Sequence, residues 1–361
     1  MGDVVRIGLI GTGFARKVQI PAFQLCENAR VVSIASASIT NARATAEEFG
    51  IDHFTADWRE TVSRGDVDLV CITTPPRSHH EMTMFAIGHG KHILCEKPMA
   101  MNVNEAREMT EGAKKAGVLA LIDHELRFQP GRRRAYEMLR EGAIGKVRHA
   151  KCYFQAPHRG DPTLPWNWWS DEKQGGGALG AIASHVIDSF QWFLGTNISS
   201  VFCQLQGQIK NRPLADGSMR EVTSDDESLM ILRFGDTNMT DDATGIVSIS
   251  MTEYPKYKHR VEFYGTDGAL AVEARGELFI AKAIPDTEWQ EVGVDFGAAI
   301  AGVPDTGFSS GFNEFAPKII ESLLRGETLV ENAATFEDGL AVQVVLDAAR
   351  ESNATNCRTD C

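Results

Sequence analysis

The sequence predicts an α/β fold that begins with a Rossmann-type, doubly wound parallel sheet and continues into a second domain. Short apolar runs alternate with helix-like segments through the first third of the chain, and a G-x-G turn follows the first run. Continuous apolar runs are typical of strands buried on both faces of a parallel sheet. The length of 361 residues is enough for about two ordinary domains.

The elements of the first domain follow in regular order. We predict strands at 4–10, 30–35, 69–72, 92–95 and 118–122, and helices at 40–49, 78–88 and 103–116. Asn102 and Glu105 have the spacing of a capping box at the start of the last helix. Strand–helix alternation predicts a parallel, doubly wound sheet, and the ligand of such a sheet lies beyond the carboxyl ends of its strands.

Composition excludes several classes of partner. The net charge is −13 and the longest basic run is 132–134, which argues against nucleic acid and anionic membrane as main partners. The seven cysteines form no C-x-x-C pair, which favours free thiols in a reducing compartment. With no signal-like or membrane-spanning segment in the sequence, we expect a cytoplasmic protein.

The turn after the first strand has the composition of a phosphate-binding loop. Its residues, all candidates for cofactor binding, are Gly11, Thr12, Gly13, Phe14 and Ala15. Glycines in G-x-G spacing allow a tight turn and a close backbone approach to a pyrophosphate, next to free N–H groups of the following helix. Arg16 replaces the third glycine of the full motif, and it either points toward phosphate or lies in solvent.

The residue after the second strand indicates whether the cofactor's ribose carries a 2′-hydroxyl, as in NAD, or a 2′-phosphate, as in NADP. A carboxylate there binds the 2′-hydroxyl of NAD and repels the 2′-phosphate of NADP. Ser36 occupies this position. Because a hydroxyl can bond either group and repels neither, the cofactor is NAD or NADP, with a slight preference for NADP.

Two short motifs and their order identify a family resemblance. Thr74-Pro75-Pro76-x-x-His79 follows the third predicted strand, and Glu96-Lys97-Pro98 follows the fourth. Further matches are ELRFQP at 125–130, GAIGKV at 142–147, GGGALGAIASHVID at 175–188, EFYGTDGAL at 262–270 and TFEDGLAVQVVLDAARES at 335–352. In this order the segments resemble the Gfo/Idh/MocA family, which includes glucose–fructose oxidoreductase and inositol dehydrogenase.

The resemblance implies the architecture of the rest of the chain. We expect a dinucleotide-binding domain at 1–124 and a substrate-binding α+β domain at 125–361, with a large, open, mostly antiparallel sheet. Strand-like runs at 147–155, 201–208, 227–233, 245–252, 261–264 and 269–272 agree with it. In relatives this sheet often forms the subunit interface, so we expect a homodimer or homotetramer.

The resemblance also implies roles at the cofactor crevice. Thr74, Pro75, His79 and Glu96 are expected to contact the cofactor. Lys97 is expected between nicotinamide and substrate, where its ammonium hydrogen-bonds the reacting oxygen and stabilises alkoxide character. A cis peptide bond is expected before Pro98.

His185 is the second catalytic candidate. On a helix over 178–194, one apolar stripe carries Leu179, Ile182, Val186, Phe190 and Phe193, whereas His185 shares a neighbouring stripe with Asp188. Imidazole suits proton transfer near neutral pH, and Asp188 is expected to orient it or to play a structural part. Many relatives carry an aspartate four residues before this histidine, where the chain has Ala181. Asp123, Glu125 and Arg127 are the candidates to replace that acid.

Substrate binding is assigned to Lys97, Glu125, Arg127, Trp166 and His185. Arg127 suits an anionic or hydroxyl-rich ligand, and tryptophan faces stack on the C–H faces of sugar rings. His79, His80, His158 and His185 lack the close spacing of metal ligands, so no metal is expected.

These observations predict an NAD(P)-dependent oxidoreductase that interconverts a secondary alcohol and a ketone on a sugar, inositol or related polyol. Two other classes stay open. One is a nucleotide-sensing protein without catalysis, and the other is a glycosidase that uses bound NAD for transient oxidation.

Overall fold

The chain folds into two compact units, each of which combines two separate segments of the sequence. The structure is a computed structural model that describes residues 3–297, 300 and 302–361. One unit contains Met1–Gln129 and Gly297–Leu340, and the other contains Pro130–Phe296 and Ala341–Cys361. We call them the first and second units.

The strands are β1 (Val5–Ile10), β2 (Ala29–Ala35), β3 (His53–Thr55), β4 (Leu69–Ile72), β5 (His92–Cys95), β6 (Ala120–Ile122), β7 (Val147–Gln155), β8 (Ile198–Gln206), β9 (Asn211–Pro213), β10 (Met219–Glu221), β11 (Glu227–Phe234), β12 (Thr240–Ser250), β13 (Lys258–Gly265), β14 (Gly268–Val272), β15 (Leu278–Lys282), β16 (Gln290–Val292), β17 (Ala334–Thr335) and β18 (Thr359–Asp360). The α-helices are α1 (Ile20–Gln24), α2 (Ile39–Phe49), α3 (Trp58–Ser63), α4 (His79–Gly88), α5 (Val103–Ala116), α6 (Pro130–Arg140), α7 (Ser184–Leu194), α8 (Gly307–Leu324) and α9 (Phe336–Thr355).

The first unit is built on a seven-stranded sheet in the order β17-β6-β5-β4-β1-β2-β3. All strands are parallel except β17, which pairs antiparallel with β6. The order reverses between β1 and β4, and such a switch point opens a crevice at the carboxyl ends of the strands. The predicted parallel sheet and its Rossmann order are therefore confirmed.

The apolar core of this unit has two layers, one on each face of the sheet, because successive side chains of a buried strand enter different layers. Leu69 and Cys71 belong to one cluster, with residues of α1, α2 and α8, whereas Val70 and Ile72 belong to the other, with residues of α3, α4 and α5. Successive side chains of a strand point to opposite faces, so both faces of the sheet are covered.

Helix α8 belongs to the first unit although it follows the second sheet in sequence. Phe312 and Phe315 are fully buried, and Phe312 contacts the rings of Phe14 and Phe23 edge-on at 6.1 and 5.5 Å. Each such ring contributes on the order of 2–3 kcal/mol by burial. The structure thus divides the chain differently from the predicted boundary at 124/125, because the core of the first sheet is completed by residues from 297–340.

The second unit contains a nine-stranded sheet in the order β16-β15-β14-β13-β7-β12-β11-β8-β18. Neighbours pair antiparallel except β12 and β7, which are parallel. The expected mostly antiparallel sheet is therefore confirmed. Helix α7 is buried along its length, and its Phe193 lies 5.0 Å from the ring of Phe263 on β13.

The other face of this sheet exposes apolar side chains. Leu229 and Ile231 of β11 are 48% and 59% exposed, Ile246 of β12 is 41% exposed, and Tyr153 of β7 is 37% exposed. Ile231 and Ile246 are direct cross-strand partners. We call these four residues the exposed sheet patch.

Candidate active site

The glycine turn joins the end of β1 to the first helical segment at the switch point of the sheet. Gly11 has a φ of +104°, and its N–H donates to the Ala35 carbonyl oxygen at 2.8 Å. A Cβ added to Gly11 would lie 2.5 Å from the Thr73 carbonyl oxygen. Only glycine accommodates both this φ and this contact.

Gly13 is different, because a Cβ added there would meet no atom within 4 Å. That open space beside backbone at the start of a helical segment fits a pyrophosphate. Thr12 is half-buried, Phe14 packs edge-on against Phe312, and Ala15 is fully buried. The Phe14 and Ala15 side chains therefore belong to the core, and these residues can offer a ligand their backbone.

Arg16 lies in solvent rather than toward this space. Its guanidinium forms an ion pair with Glu48 of α2 at 2.5 Å, and both side chains are more than 40% exposed. Of the two interpretations of Arg16, the solvent-exposed one fits this pairing.

Ser36 directly follows β2, as predicted, and is half-buried. Its N–H donates to the Thr55 carbonyl oxygen at 3.1 Å, and its Oγ accepts from the Ser38 N–H at 3.4 Å. Arg43, on α2, lies over the Phe54 ring at 5.4 Å.

The His79 ring holds the Thr74-Pro75-Pro76 turn through a hydrogen bond to the turn's backbone. The His79 ring is fully buried, with Nδ1 3.0 Å from the Pro98 carbonyl oxygen and Nε2 2.8 Å from the Thr74 carbonyl oxygen. Burial lowers the pKa of His79. A buried ring with both nitrogens at backbone carbonyls connects two loops, which differs from the direct cofactor contact expected for His79.

Glu96 and Lys97 follow β5 at the same edge of the sheet. The Lys97–Pro98 peptide is cis, as expected. Glu96 and Lys97 are half-buried, and the Lys97 N–H donates to Glu96 Oε2 at 3.3 Å. Lys97 thus lies two residues beyond the end of the strand next to β4, where the crevice of a doubly wound sheet opens.

Asp123 stands beside Glu96 because β5 and β6 are neighbours. Cys95 and Ile122 are register partners, and each carboxyl residue comes directly after its strand. Asp123 is fully buried, and its Oδ2 accepts from Gln19 Nε2 at 2.7 Å. Burial raises the pKa of Asp123, and the neighbouring Glu125 and Glu96 raise it further.

Glu125 and Arg127, which the sequence assigns to substrate binding, are buried. Glu125 is 2% and Arg127 is 5% exposed, and Arg127 Nη2 lies 3.1 Å from Asp338 Oδ1 on α9. A Cβ added to Gly311 of α8 would lie 2.3 Å from the Glu125 carbonyl oxygen. The Arg127–Asp338 ion pair was not predicted from the sequence.

In the second unit, His185 lies in the first turn of α7. His185 and Asp188 are 3% and 2% exposed, so the stripe that carries them is as buried as the apolar stripe beside it. The two stripes therefore differ in composition but not in burial. The reason is that α7 is covered on every side, so polar and apolar positions are equally enclosed.

A buried polar chain runs from the backbone of His185. Ser189 Oγ donates to the His185 carbonyl oxygen at 2.6 Å and accepts from Arg132 Nη1 at 3.0 Å. Arg132 Nη2 lies 3.1 Å from His259 Nε2, and burial together with Arg132 lowers the pKa of His259 well below its ordinary value. The sequence reasoning missed both residues: Arg132 had appeared only as part of a basic run, and His259 had not been singled out.

Trp166 is half-buried and already has polar partners. Its Nε1 donates to the Glu221 carbonyl oxygen at 3.0 Å, and the Arg220 guanidinium lies 3.7 Å from its ring centroid. One face of the indole is therefore covered by Arg220.

Across residues 3–297, 300 and 302–361, no group of three or more His, Cys, Asp or Glu side chains is placed to hold a metal ion. None of the helices in the described part of the chain has the length and apolar character required to span a bilayer.

Comparison with known proteins identifies the two halves of the chain. A family model described as "Oxidoreductase family, NAD-binding Rossmann fold" matches residues 5–124. A second, described as "GFO/IDH/MocA C-terminal domain", matches residues 132–271. The chain belongs to the Gfo/Idh/MocA family.

Relatives of this Gfo/Idh/MocA protein include an uncharacterized oxidoreductase of Synechocystis sp., 31% identical over 74% of this chain and 71% of the relative. Levoglucosan dehydrogenase of Pseudarthrobacter phenanthrenivorans is 29% identical over 99% of this chain and 98% of its own. Among solved structures, an oxidoreductase domain protein from Kribbella flavida has a TM-score of 0.88 at 27% identity, covering 99% of both chains. Levoglucosan dehydrogenase in complex with NADH and L-sorbose has a TM-score of 0.87 at 26% identity, also covering 99% of both chains.

The family predicted from the Thr74–His79 and Glu96–Pro98 motifs is therefore confirmed, and this Gfo/Idh/MocA protein is an oxidoreductase with an NAD-binding Rossmann domain. Its glycine turn fits the backbone of such a domain even though Arg16 replaces the third glycine. Ala15 supplies the close packing instead, because it is fully buried at the start of the helical segment.

Proposed function

We propose that this protein is an NAD(P)-dependent dehydrogenase or reductase that interconverts a secondary alcohol and a ketone on a sugar, inositol or related polyol. The family supports the oxidoreductase chemistry, and relatives named levoglucosan dehydrogenase support a carbohydrate substrate. The observation that carries the proposal is the position of Lys97, two residues beyond the end of β5 and beside the switch point of the sheet.

Lys97 is the proposed electrophilic residue. Its ammonium donates a hydrogen bond to the reacting oxygen of the substrate, which stabilises alkoxide character as the adjacent C–H bond breaks. When bound, the nicotinamide supplies the hydride acceptor, or the donor in the reverse direction. The chain would hold that cofactor through the backbone of 11–15, the turn of Thr74 and Pro75, and Glu96.

His185 is the proposed proton acceptor for oxidation and proton donor for reduction. This role comes from the family resemblance and from the pKa range of imidazole. Glu125, Arg127 and Trp166 remain proposed substrate residues. Because Arg127 is engaged by Asp338 and Trp166 by Arg220, we expect them to act by shaping the site rather than as free ligands.

The cofactor preference is a finer proposal. Ser36 presents a hydroxyl where a carboxylate would repel the 2′-phosphate, so we propose a slight preference for NADP over NAD. A larger thermal shift with NAD than with NADP would contradict it.

We also propose that the protein forms a homodimer or homotetramer through the exposed sheet patch. Exposed apolar side chains grouped on one face of a sheet are typical of an interface. Light scattering tests the assembly, and Ile231→Lys is expected to dissociate it. A monomeric wild type would overturn the proposal.

The decisive test compares Lys97→Ala with Lys114→Ala, a matched control on the exposed side of α5. We expect Lys97→Ala to lower turnover by about 10²–10⁴ while NADH affinity stays unchanged, and Lys114→Ala to change neither. The substrates are a panel of sugars, inositols and related polyols, each assayed for turnover. Near-normal turnover of Lys97→Ala on a substrate that the wild type converts would refute the assignment. Cofactor binding without wild-type turnover across the panel would favour a sensor.

A further inference from the structure

Asp123, which lies beside the Glu96-Lys97 turn, has a carboxyl group that the proposed reaction does not use. Asp123 is fully buried, and Gln19 Nε2 donates to its Oδ2. Its other oxygen, Oδ1, is buried and receives no hydrogen bond from any donor in the described part of the chain. Burial of a charged carboxylate oxygen without a donor is strongly unfavourable, so the state of this oxygen needs a physical explanation.

The neighbours of Asp123 include a second carboxyl group, Glu96, as well as Lys97, whose charge opposes the rise in the pKa of Asp123. Glu96 and Asp123 directly follow the register partners Cys95 and Ile122 of β5 and β6, and their side chains lie close enough for a hydrogen bond between them. Two carboxylates can form such a bond only if one of them carries a proton, which they then share. The described residues offer no grouping that would hold a metal ion in place of that proton.

The two carboxyl groups are not equivalent. Glu96 is half-buried, accepts the Lys97 N–H at 3.3 Å, and lies within the field of the Lys97 ammonium. Asp123 is fully enclosed, and Glu125 adds a further carboxyl group beside it. Burial raises the pKa of both carboxyl groups, and the Lys97 charge opposes this at both. Asp123 has the stronger bias to the neutral form, because Glu125 and Glu96 raise its pKa further, whereas the Lys97 N–H also stabilises the charged form of Glu96.

We propose that Asp123 is a neutral carboxylic acid whose proton, on Oδ1, is donated to the Glu96 carboxylate, so that Asp123 acts as a positioning residue. The acid holds the Glu96-Lys97 turn through this bond and the helical segment after the glycine turn through Gln19. It thereby fixes two loops of the proposed cofactor site to the end of β6. The functional part rests on the proposed function, whereas the protonation state does not.

The titratable and polar groups that face Glu96 and Asp123 leave room for one proton shared between these two carboxyl groups. The facing groups are Gln19, Lys97, Glu125 and the thiols of Cys71 and Cys95. Burial raises the pKa of both thiols, so they remain neutral and add no further negative charge to the cluster. Burial likewise raises the pKa of Asp123.

The first test is infrared spectroscopy of the purified protein at neutral pH, with Asp123→Asn and Asp68→Asn compared with the wild type. Asparagine keeps an oxygen for Gln19 and an N–H for Glu96. Asp68 is a matched control, because Arg6 donates to both of its oxygens and lowers the pKa of this carboxyl group although burial opposes it. We expect the C=O band of a protonated carboxylic acid in the wild type and in Asp68→Asn, and its loss in Asp123→Asn. The same spectrum in all three proteins would overturn the proposal.

The second test is the pH dependence of urea unfolding. The folded pKa of Asp123 is raised, so its contribution to stability is greatest at low pH and is lost as pH rises toward that pKa. Above about pH 4, the unfolding constant of the wild type relative to Asp123→Asn should increase about tenfold per pH unit. The ratio for Asp68→Asn should be flat over the same range. A flat ratio for Asp123→Asn would mean that Asp123 is ionised in the folded protein.

Kinetics then separate positioning from proton transfer. We expect Asp123→Ala, which cannot bond Glu96, to lower kcat by tenfold or more, and Asp123→Asn, which keeps an N–H for Glu96, to recover most of that loss. Loss of turnover in Asp123→Asn would overturn the positioning role. Infrared and unfolding use no substrate, so their outcome is independent of whether Lys97→Ala supports the proposed reaction.

Discussion

The two glycines of the G-x-G turn have separable physical roles, and single alanine substitutions distinguish them. In Gly11→Ala the new Cβ would lie 2.5 Å from the Thr73 carbonyl oxygen and 2.6 Å from Thr73 Oγ1. Thr73 cannot retreat easily, because its N–H and its hydroxyl both donate to the Ile10 carbonyl oxygen, at 2.7 and 3.0 Å. The φ of +104° adds backbone strain for any residue with a Cβ.

The magnitude follows from these two terms. A sparsely populated φ costs about 1–3 kcal/mol, and overpacking against fixed atoms costs a further ~1–3 kcal/mol. We therefore expect Gly11→Ala to lower the free energy of unfolding by about 2–6 kcal/mol, a large part of the stability of an ordinary domain. Gly13→Ala meets no atom within 4 Å and should change stability by less than about 0.5 kcal/mol.

Gly13→Ala should instead weaken binding, because its methyl group projects into the space proposed for the pyrophosphate. The assays are urea unfolding for stability and NADH fluorescence titration for affinity, both on the same preparations. Gly11→Ala with wild-type stability would refute the steric argument. Gly13→Ala with wild-type NADH affinity would refute the placement of the pyrophosphate.

The remaining predictions use other parts of the fold. Ser36→Asp should weaken NADP binding about tenfold or more by charge repulsion and leave NAD binding unchanged, as measured by calorimetry; equal weakening of both would contradict the ribose argument. Burial raises the pKa of Asp338, but its interactions with Arg127 and Thr335 outweigh burial and hold the pKa below its ordinary value. Asp338→Asn should therefore lower the free energy of unfolding by about 1–3 kcal/mol at neutral pH. This difference should disappear as pH falls through the folded pKa, and urea unfolding between pH 7 and pH 3 checks the sign. Gly131→Ala would place a Cβ 1.7 Å from a backbone carbonyl oxygen, so it should destabilise the second unit by about 3 kcal/mol or more, as seen in thermal unfolding.

Local pattern predicted the parallel sheet well. Runs at 69–72 and 92–95 coincide with β4 and β5, and Asn102 accepts from the N–H groups of Asn104 and Glu105 at the start of α5. Glu105 reaches back to the Met101 N–H, one residue before the predicted capping-box partner. These features depend on neighbours in sequence, so the sequence contains the information needed for them.

Long-range features could not be predicted in the same way. The return of α8 to the first unit depends on its aromatic side chains fitting a core built some 200 residues earlier, and periodicity reports burial without naming the partner. The enclosure of His79 and Arg127 has the same origin, because polar residues in motifs look alike whether they face a ligand or a carbonyl oxygen. The β17 pairing with β6 is only two residues long and has no recognisable sequence signal.

The position of α8 has a consequence for biosynthesis. The first 129 residues are synthesised early, but Phe312 and Phe315 belong to their apolar core and are added much later. Helix α8 ends at Leu324, which is 324 − 129 = 195 residues after Gln129, and a ribosome adds that length in about 10–40 s at roughly 5–20 residues per second. For that interval the nascent sheet exposes the surface that α8 will cover. A chain truncated before α8 should therefore leave this surface for chaperones to bind, although every strand of the parallel part of the sheet is already present.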